Sequence, residues 1–382
     1  MNEMKKIIVV PDSFKGTMTS REVADIMCRA VHSIFSACET VSVPIGDGGE
    51  GTVDAFLAAT RGERITKRVN GPFFEAVEAD YAMLGDGETA VIEMAAAAGL
   101  PLTHGRHLVG ETTTFGVGEL MNDAIERGAK HIILGLGGSA TNDGGCGAAE
   151  ALGAVFFDEN GNTIVPTGST LSSIVRIDTT SLKKRLEGGE VTVMCDIDNP
   201  LCGERGAAAV FGPQKGADAE MVRVLDAGLL HLADIIMQDI GVSVLELPGA
   251  GAAGCMGACA AAFFGGRLMR GIDVVLDTVG FDDMLIGADA VITGEGRYDA
   301  QSLMGKVVSG LAARAKKRNV PVIVVAGSIK DDVDCAKARD MGVAAAFSIQ
   351  RMPLPMDEAI KHSDEGLYRT VQNVMTLWSA AR

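Results

Sequence analysis

Metal-binding frameworks of cysteine or histidine are missing from this chain of 382 residues. Its eight cysteines, at positions 28, 38, 146, 195, 202, 255, 259 and 335, contain no CxxC pair of the kind that holds structural zinc. The histidines at 32, 104, 107, 131, 231 and 362 form neither HxH nor HExxH. The cysteines therefore read as reduced, mostly buried thiols of a cytosolic protein. Basic residues are also scarce. With 34 Lys plus Arg against 50 Asp plus Glu, the formal charge is −16, which repels polyphosphate backbones and argues against a nucleic-acid or membrane partner. No long apolar run opens the chain. Met1-Asn-Glu-Met-Lys-Lys leads only into Ile7-Ile-Val-Val10 before Pro11-Asp12, too short for a signal peptide or a membrane span, so the expected location is the cytoplasm.

What is present is 47% apolar residues, enough to fill the two domains that this length suggests. Short Val/Ile-rich runs alternate with amphipathic helical stretches, the pattern of a parallel sheet covered on both faces. Examples are Lys6–Val10, Val41–Ile45, His131–Leu134, Val191–Met194, Ala290–Thr293 and Val322–Val325. After the first run, Thr19-Ser-Arg-Glu22 makes a capping box, and Val23, Ile26, Met27, Ala30, Val31 and Ile34 form one apolar stripe. The middle of the chain has a different texture, with irregular Thr/Gly/Pro segments such as Gly161–Gly168. The expectation is an α/β fold with a discontinuous doubly wound domain, residues 1–70 plus 286–382, and an inserted α/β domain over residues 71–285. No low-complexity linker marks the joins.

Glycine-punctuated patches carrying acids or hydroxyls recur along the chain: Pro11–Gly16, Gly46–Gly51, Gly135–Gly145, Cys195–Gly203 and Gly294–Asp299. Glycine permits positive φ and close backbone approach, so such loops suit a phosphate or small anion, and several follow the carboxyl ends of strands, where open sheets place ligands. Gly135–Gly145 is the best anion loop, because it leaves a strand and leads into a helix expected at Cys146–Leu152. In it Ser139, Thr141 and Asn142 can donate to phosphoryl oxygens. Asp143 suits either Mg²⁺ or a helix cap. Asp196 and Asp198, two apart at a strand end, project to one side and can hold Mg²⁺ or supply a base; turn capping before Pro200 is the alternative. Asp47 and Glu50 are open to the same two readings.

Two further motifs invite nucleotide readings. Gly305-Lys306 fails as a P-loop because Ala300 stands where the first glycine belongs and Val307 replaces the hydroxyl residue. Gly249-Ala-Gly-Ala-Ala-Gly254 is a literal GxGxxG after an expected mixed strand, Val242–Leu247, with Asp273 or Asp277 near the distance of a ribose-binding acid. It keeps an NAD-dependent dehydrogenase, through Gly249, Gly251 and Gly254, as the alternative.

Taken in order, Pro11–Gly16, Pro44–Gly51, Gly135–Gly145, Cys195–Gly203, Phe211–Gly216, Gly249–Gly254 and Thr293–Gln301 with Gly305-Lys306 resemble the type I glycerate kinase family over essentially the whole chain. The resemblance implies a flavodoxin-like domain with a second α/β domain inserted. It also implies MgATP-dependent phosphorylation of D-glycerate, favouring the 2-hydroxyl, with a 3-kinase as alternative. Phosphoryl transfer then asks for a base, a carboxylate-binding cation, metal ligands and a phosphate cradle. Asp196 is the first choice for base, with Asp47 next. Lys15, Arg297 or Lys215 suits the substrate carboxylate, with Asp12, Ser13 and Asp299 beside them. Gly137, Gly138, Ser139, Thr141, Asn142, Lys215 and Gly216 form the expected triphosphate site, and Asp143 and Asp198 are the expected metal ligands. A receptor without turnover is the non-catalytic alternative. The oligomeric state stays open, a homodimer included.

Overall fold

The computed structural model describes residues 4–45, 51–303 and 307–380. Numbered in chain order, the strands are β1 (Lys6–Val9), β2 (Glu39–Ser42), β3 (Glu63–Asn70), β4 (Ala76–Met83), β5 (Thr89–Glu93), β6 (His131–Gly135), β7 (Val155–Phe157), β8 (Arg176–Asp178), β9 (Glu190–Met194), β10 (Arg267–Met269), β11 (Ala290–Tyr298), β12 (Val322–Ile329) and β13 (Val343–Ser348). Two compact units result. The first holds Met1–Gly46, Asp54–Thr60 and Ile272–Arg382, and the second Asp47–Val53 and Arg61–Gly271. Residues 61–70 thus fall in the second unit, because β3 pairs with β4 along its whole length. Residues 272–285 fall in the first, where Ile272 packs on Gly310 of the helix Val307–Lys317.

The first unit is a parallel sheet in the order β13-β12-β11-β1-β2. Counted within the unit this is 2-1-3-4-5, the flavodoxin-like doubly wound order, with its switch point between β1 and β11. Ile7, Val9, Ile292, Ile323 and Val325 share one apolar cluster with Val23 and Met27 of the helix Ser20–His32 and with Leu367 and Val371 of the helix Ser363–Ala380. Ile8 is wholly buried as well, and by strand alternation it faces the other side, so both faces are covered. The capping box forms as expected. Glu22 N–H donates to Thr19 Oγ1 at 3.2 Å, and Thr19 N–H donates to Glu22 Oε2 at 2.8 Å.

Gly294 to Tyr298, read from sequence as a loop, is instead the last part of β11 and stays paired with β12 up to Tyr298↔Ile329. Its glycines serve strand contact. A Cβ on Gly294 would stand 2.5 Å from Val325 O, and one on Gly327 would stand 2.5 Å from Gly296 O, so side chains there would push the strands apart.

The second unit holds a mixed sheet, β10-β9-β6-β5-β4-β3, and the pair β7-β8. From β5 through β10 the neighbours are parallel. Their register brings Glu93, Gly135, Met194 and Met269 side by side as one row of strand ends. The loops that follow all leave from that row. Val242–Leu247 forms no strand.

Candidate active site

At the row of strand ends in the second unit, the loop after β6 is organised around Asp143. Its Oδ2 accepts from Thr114 N at 2.7 Å, Thr114 Oγ1 at 2.8 Å and Gly147 N at 3.3 Å, while Oδ1 accepts from Gly145 N at 3.0 Å. The Thr114 hydroxyl in turn accepts from Ala148 N at 2.9 Å. Burial pushes the Asp143 carboxyl upward in pKa, against the downward pull of the bonds from Thr114, Gly145 and Gly147. The first turn of the helix Cys146–Ala151 is therefore capped from within the protein. Its N–H groups are not offered to a phosphate, contrary to the expectation drawn from its position. Thr114, buried like its neighbours Thr112 and Thr113, supplies this cap from 29 residues before Asp143, and sequence reasoning missed it; three consecutive threonines ahead of a helix were the available signal.

The polar groups left over lie just before the cap. Thr141 and Asn142 are 0% exposed, and Thr141 Oγ1 and both side-chain amide atoms of Asn142 are buried without a hydrogen-bond partner. Lys215, 4% exposed, donates from Nζ to Thr141 O at 2.6 Å. Burial lowers its pKa to about 8, partly offset by Cys255 and Asp143. Gly216 follows with φ +95°, and a Cβ there would stand 2.5 Å from His107 Nδ1. At the loop's tip Gly137 is half-buried and Gly138 exposed, with Ser139 buried behind them. Sequence-expected residues Thr141, Asn142 and Lys215 are thus brought into one cluster.

The GxGxxG segment serves this region in a way unlike a dinucleotide turn. No strand precedes it, and the helix Ala252–Ala262 is broken by left-handed residues Ala253, Gly254 and Cys255 with φ of 54°, 66° and 73°. A Cβ on Gly251 would meet Pro200 O at 2.3 Å, and one on Gly254 would meet Thr141 O at 2.0 Å. Gly144 N–H donates to Gly254 O at 3.0 Å. These glycines press against the loops after β9 and β6 and hold them, which removes the structural basis for the NAD reading.

In the loop after β9, Asp196 is exposed, and its Oδ1 accepts from Gly271 N at 2.8 Å. This bond ties the ends of β9 and β10 and fixes the carboxylate's orientation. Because β9 ends at Met194, strand alternation no longer governs Asp196 and Asp198. Asp198 instead pairs with Arg205 at 3.1 Å on the surface, its side chain 80% exposed. Neither Asp143, surrounded by donors, nor Asp198, paired in water, fits a metal ligand. Among the described residues no group of three or more His, Cys, Asp or Glu can hold an ion.

The first unit presents its own set at the switch point. Asp12 N–H donates to Gly294 O at 2.8 Å, which continues the pairing of β1 with β11. A tight turn follows: Phe14 N–H donates to Met18 O at 2.9 Å, Thr17 N–H donates to Phe14 O at 2.8 Å, and Gly16 takes φ +82°. Lys15 stands exposed on this turn, beside half-buried Asp12 and Ser13. Arg297 is exposed on β11. The turn touches that strand, for a Cβ on Gly296 would lie 3.5 Å from Lys15 N and 3.6 Å from Phe14 Cα. Asp299 accepts from Gln301 N at 3.0 Å and opens the turn Ala300–Leu303. Asp47, Glu50 and Lys306 lie outside the described residues.

A doubly wound α/β unit with built loops at its switch point, and a second unit with a buried cation bonded to the backbone of a loop that carries unsatisfied hydroxyl and amide groups, are the marks of an enzyme handling small anionic substrates. Comparison with known proteins narrows the class. The profile of the glycerate kinase family matches residues 7–379. A "Glycerate kinase" of Bacillus cereus is 46% identical over 98% of each chain. A "Glycerate 2-kinase" of Escherichia coli is 45% identical over 97% of each. A crystal structure assigned to glycerate kinase 2 of Salmonella typhimurium, 42% identical, superposes with a TM-score of 0.89 over 99% of both chains. The chain belongs to the glycerate kinase family.

Proposed function

We propose that this protein transfers the γ-phosphoryl group of ATP to the 2-hydroxyl of D-glycerate, giving ADP and 2-phosphoglycerate. The observation that carries this reading is end-to-end similarity to glycerate kinases, among them the 2-kinase of Escherichia coli. The residues supply the parts such a transfer asks for. Asp196 is the general base, its carboxylate oriented by the Gly271 N–H. Gly137, Gly138, Ser139, Thr141 and Asn142, with Lys215 and Gly216, cradle the phosphates. The exposed cations Lys15 and Arg297 hold the glycerate carboxylate, with Asp12, Ser13 and Asp299 framing them. The donor set described leaves Mg²⁺ to the phosphates of the nucleotide. Free thiols at all eight cysteines support a reducing, cytoplasmic setting. Among the described residues no helix is long and apolar enough to cross a membrane.

The test is ATP turnover with D-glycerate, with the product passed to enolase, which accepts 2-phosphoglycerate and not 3-phosphoglycerate. ADP formation with immediate enolase competence is expected. ADP without enolase competence would move the transfer to the 3-hydroxyl.

A further inference from the structure

The hairpin that joins β3 to β4 sets an aromatic residue in a backbone conformation that glycine usually supplies. Phe74 N–H donates to Gly71 O at 3.1 Å, and Gly71 N–H donates to Glu75 O at 2.6 Å. The tip is a turn followed by one left-handed residue, and that residue is Phe74, with φ +61°. A bulky side chain is disfavoured there, so the ring is kept at a cost in backbone energy, and strain of this kind gathers at ligand sites. The rest of the tip is braced. Phe73 N–H donates to Glu75 Oε2 at 2.8 Å, Arg106 Nη2 donates to Glu75 Oε1 at 3.0 Å, and the Arg106 guanidinium lies 3.9 Å from the centre of the Phe73 ring. Thr113 N–H donates to Pro72 O at 2.9 Å. The Phe74 ring meets Phe115, the first residue of the helix Phe115–Glu126, with centroids 5.9 Å apart. It nevertheless remains 41% exposed.

This tip adjoins the anion loop. Because β4 runs antiparallel to β5, the hairpin turns at the edge where β5, β6 and β9 end. Two short links join it to Gly135–Gly145. Thr113 holds Pro72, and the next residue, Thr114, holds Asp143. Leu100 N–H donates to Gly138 O at 2.9 Å, and the turn Leu100–Thr103 leads on to Arg106, which covers Phe73.

We propose that Phe74 is the stacking face for the purine ring of the nucleotide, next to the loop assigned to its phosphates. The inference rests on the ATP reading and adds to it the place of the base. A purine offers a flat apolar face, and an accessible aromatic ring whose neighbours already fix it loses little freedom in meeting one. Leu100, exposed where its backbone bonds to Gly138, adds apolar surface between the ring and the anion loop. A protein partner would need a far larger apolar area than one ring and one leucine supply, whereas a single base needs no more.

Calorimetric titration of the full-length protein with ATP and with tripolyphosphate, Mg²⁺ present and glycerate absent, tests this on wild type, F74A, F74W and F74G, with a thermal melt of each. Loss of the stacking face is expected to weaken ATP about tenfold or more in F74A, while tripolyphosphate shifts less than about twofold. F74W should restore ATP affinity. F74G should melt above F74A, because glycine accepts the left-handed φ, and yet lose as much ATP affinity, so that binding follows the ring and not the stability. Equal weakening of ATP and tripolyphosphate in F74A would mean that the change reaches the phosphate loop through Thr113, and would overturn the stacking role. If wild type binds ATP and F74A binds it equally well, the inference fails and the ATP reading stands; a changed sedimentation coefficient in that variant would make the ring part of a protein interface. If wild type binds neither ATP nor tripolyphosphate, the ATP reading falls and takes the inference with it.

Discussion

At the carboxyl edge of the first unit two cations stand exposed, while the second unit buries one cation and one carboxylate. Lys15 and Arg297 are exposed on a short turn and a strand end held by backbone bonds. Lys215 and Asp143 are buried, and the Asp143 loop, to which Lys215 bonds, is pinned by glycines that exclude a side chain. Solvent screens the first arrangement, so its residues can change without loss of folding. The second is preorganised and unscreened, and its residues couple binding to stability. Asp196 stands between the two cases, exposed yet held by a backbone donor.

The largest expected effect tests Asp196. Replacement by Asn keeps the shape and removes the charge, and turnover should drop by about two to four orders of magnitude with an unchanged melting temperature. Near-normal turnover would sink the assignment. Gly254→Ala attacks the buried edge through its backbone, combining a left-handed φ with contact at Thr141 O. It should cost about 3 kcal/mol by denaturant unfolding and weaken ATP binding as well. A stable variant with normal ATP affinity would show that the loop does not depend on this clamp.

A smaller change is expected at Asp123, a control far from either edge in function. This carboxylate accepts from Tyr81 Oη at 2.8 Å, Lys67 Nζ at 2.7 Å and Arg127 Nε at 2.7 Å. Burial raises its pKa, but the bonds from Lys67, Arg127 and Tyr81 win and hold it at about 2. An unfolded aspartate titrates near 3.9. The stability it contributes is therefore present above about pH 4 and fades as pH falls toward 2. Asp123→Asn should lose roughly 2 kcal/mol at neutral pH, leave glycerate and ATP KM unchanged, and show a flatter melting profile between pH 4 and 2.

The smallest effect belongs to Glu150, on the helix capped by Asp143. Burial first, and repulsion from Asp143 second, raise it to about 7, and its Oε2 has no hydrogen-bond partner. A raised carboxyl favours the folded state at low pH, and that advantage disappears as pH climbs through 7. Glu150→Gln should stabilise the protein at pH 8 by roughly 1 kcal/mol after allowance for partial exposure, and change little at pH 5. Equal melting shifts at both pH values would mean that the charge is not the cause.

Local chemistry was legible in the sequence, and tertiary partnership was not. Thr19 and Glu22 announce their helix because both partners lie within one turn. The β1 and β12 runs are legible through Val/Ile density. Gly294 and Gly296 misled because glycine marks a loop and a close strand contact with the same letter. Asp143 resembled a metal ligand because its donor, Thr114, lies 29 positions away. The burial of Lys215 is equally invisible, since Pro213-Gln-Lys-Gly216 reads as an ordinary polar turn.

The division between an exposed edge for the carboxylate and a buried edge for phosphate is tested most directly by crossed kinetics of Lys15→Met and Asn142→Ala. Lys15→Met should raise the glycerate KM by about tenfold or more and leave the ATP KM unchanged, while Asn142→Ala should do the reverse. A Lys15→Met enzyme impaired only for ATP, or an Asn142→Ala enzyme impaired only for glycerate, would contradict the account.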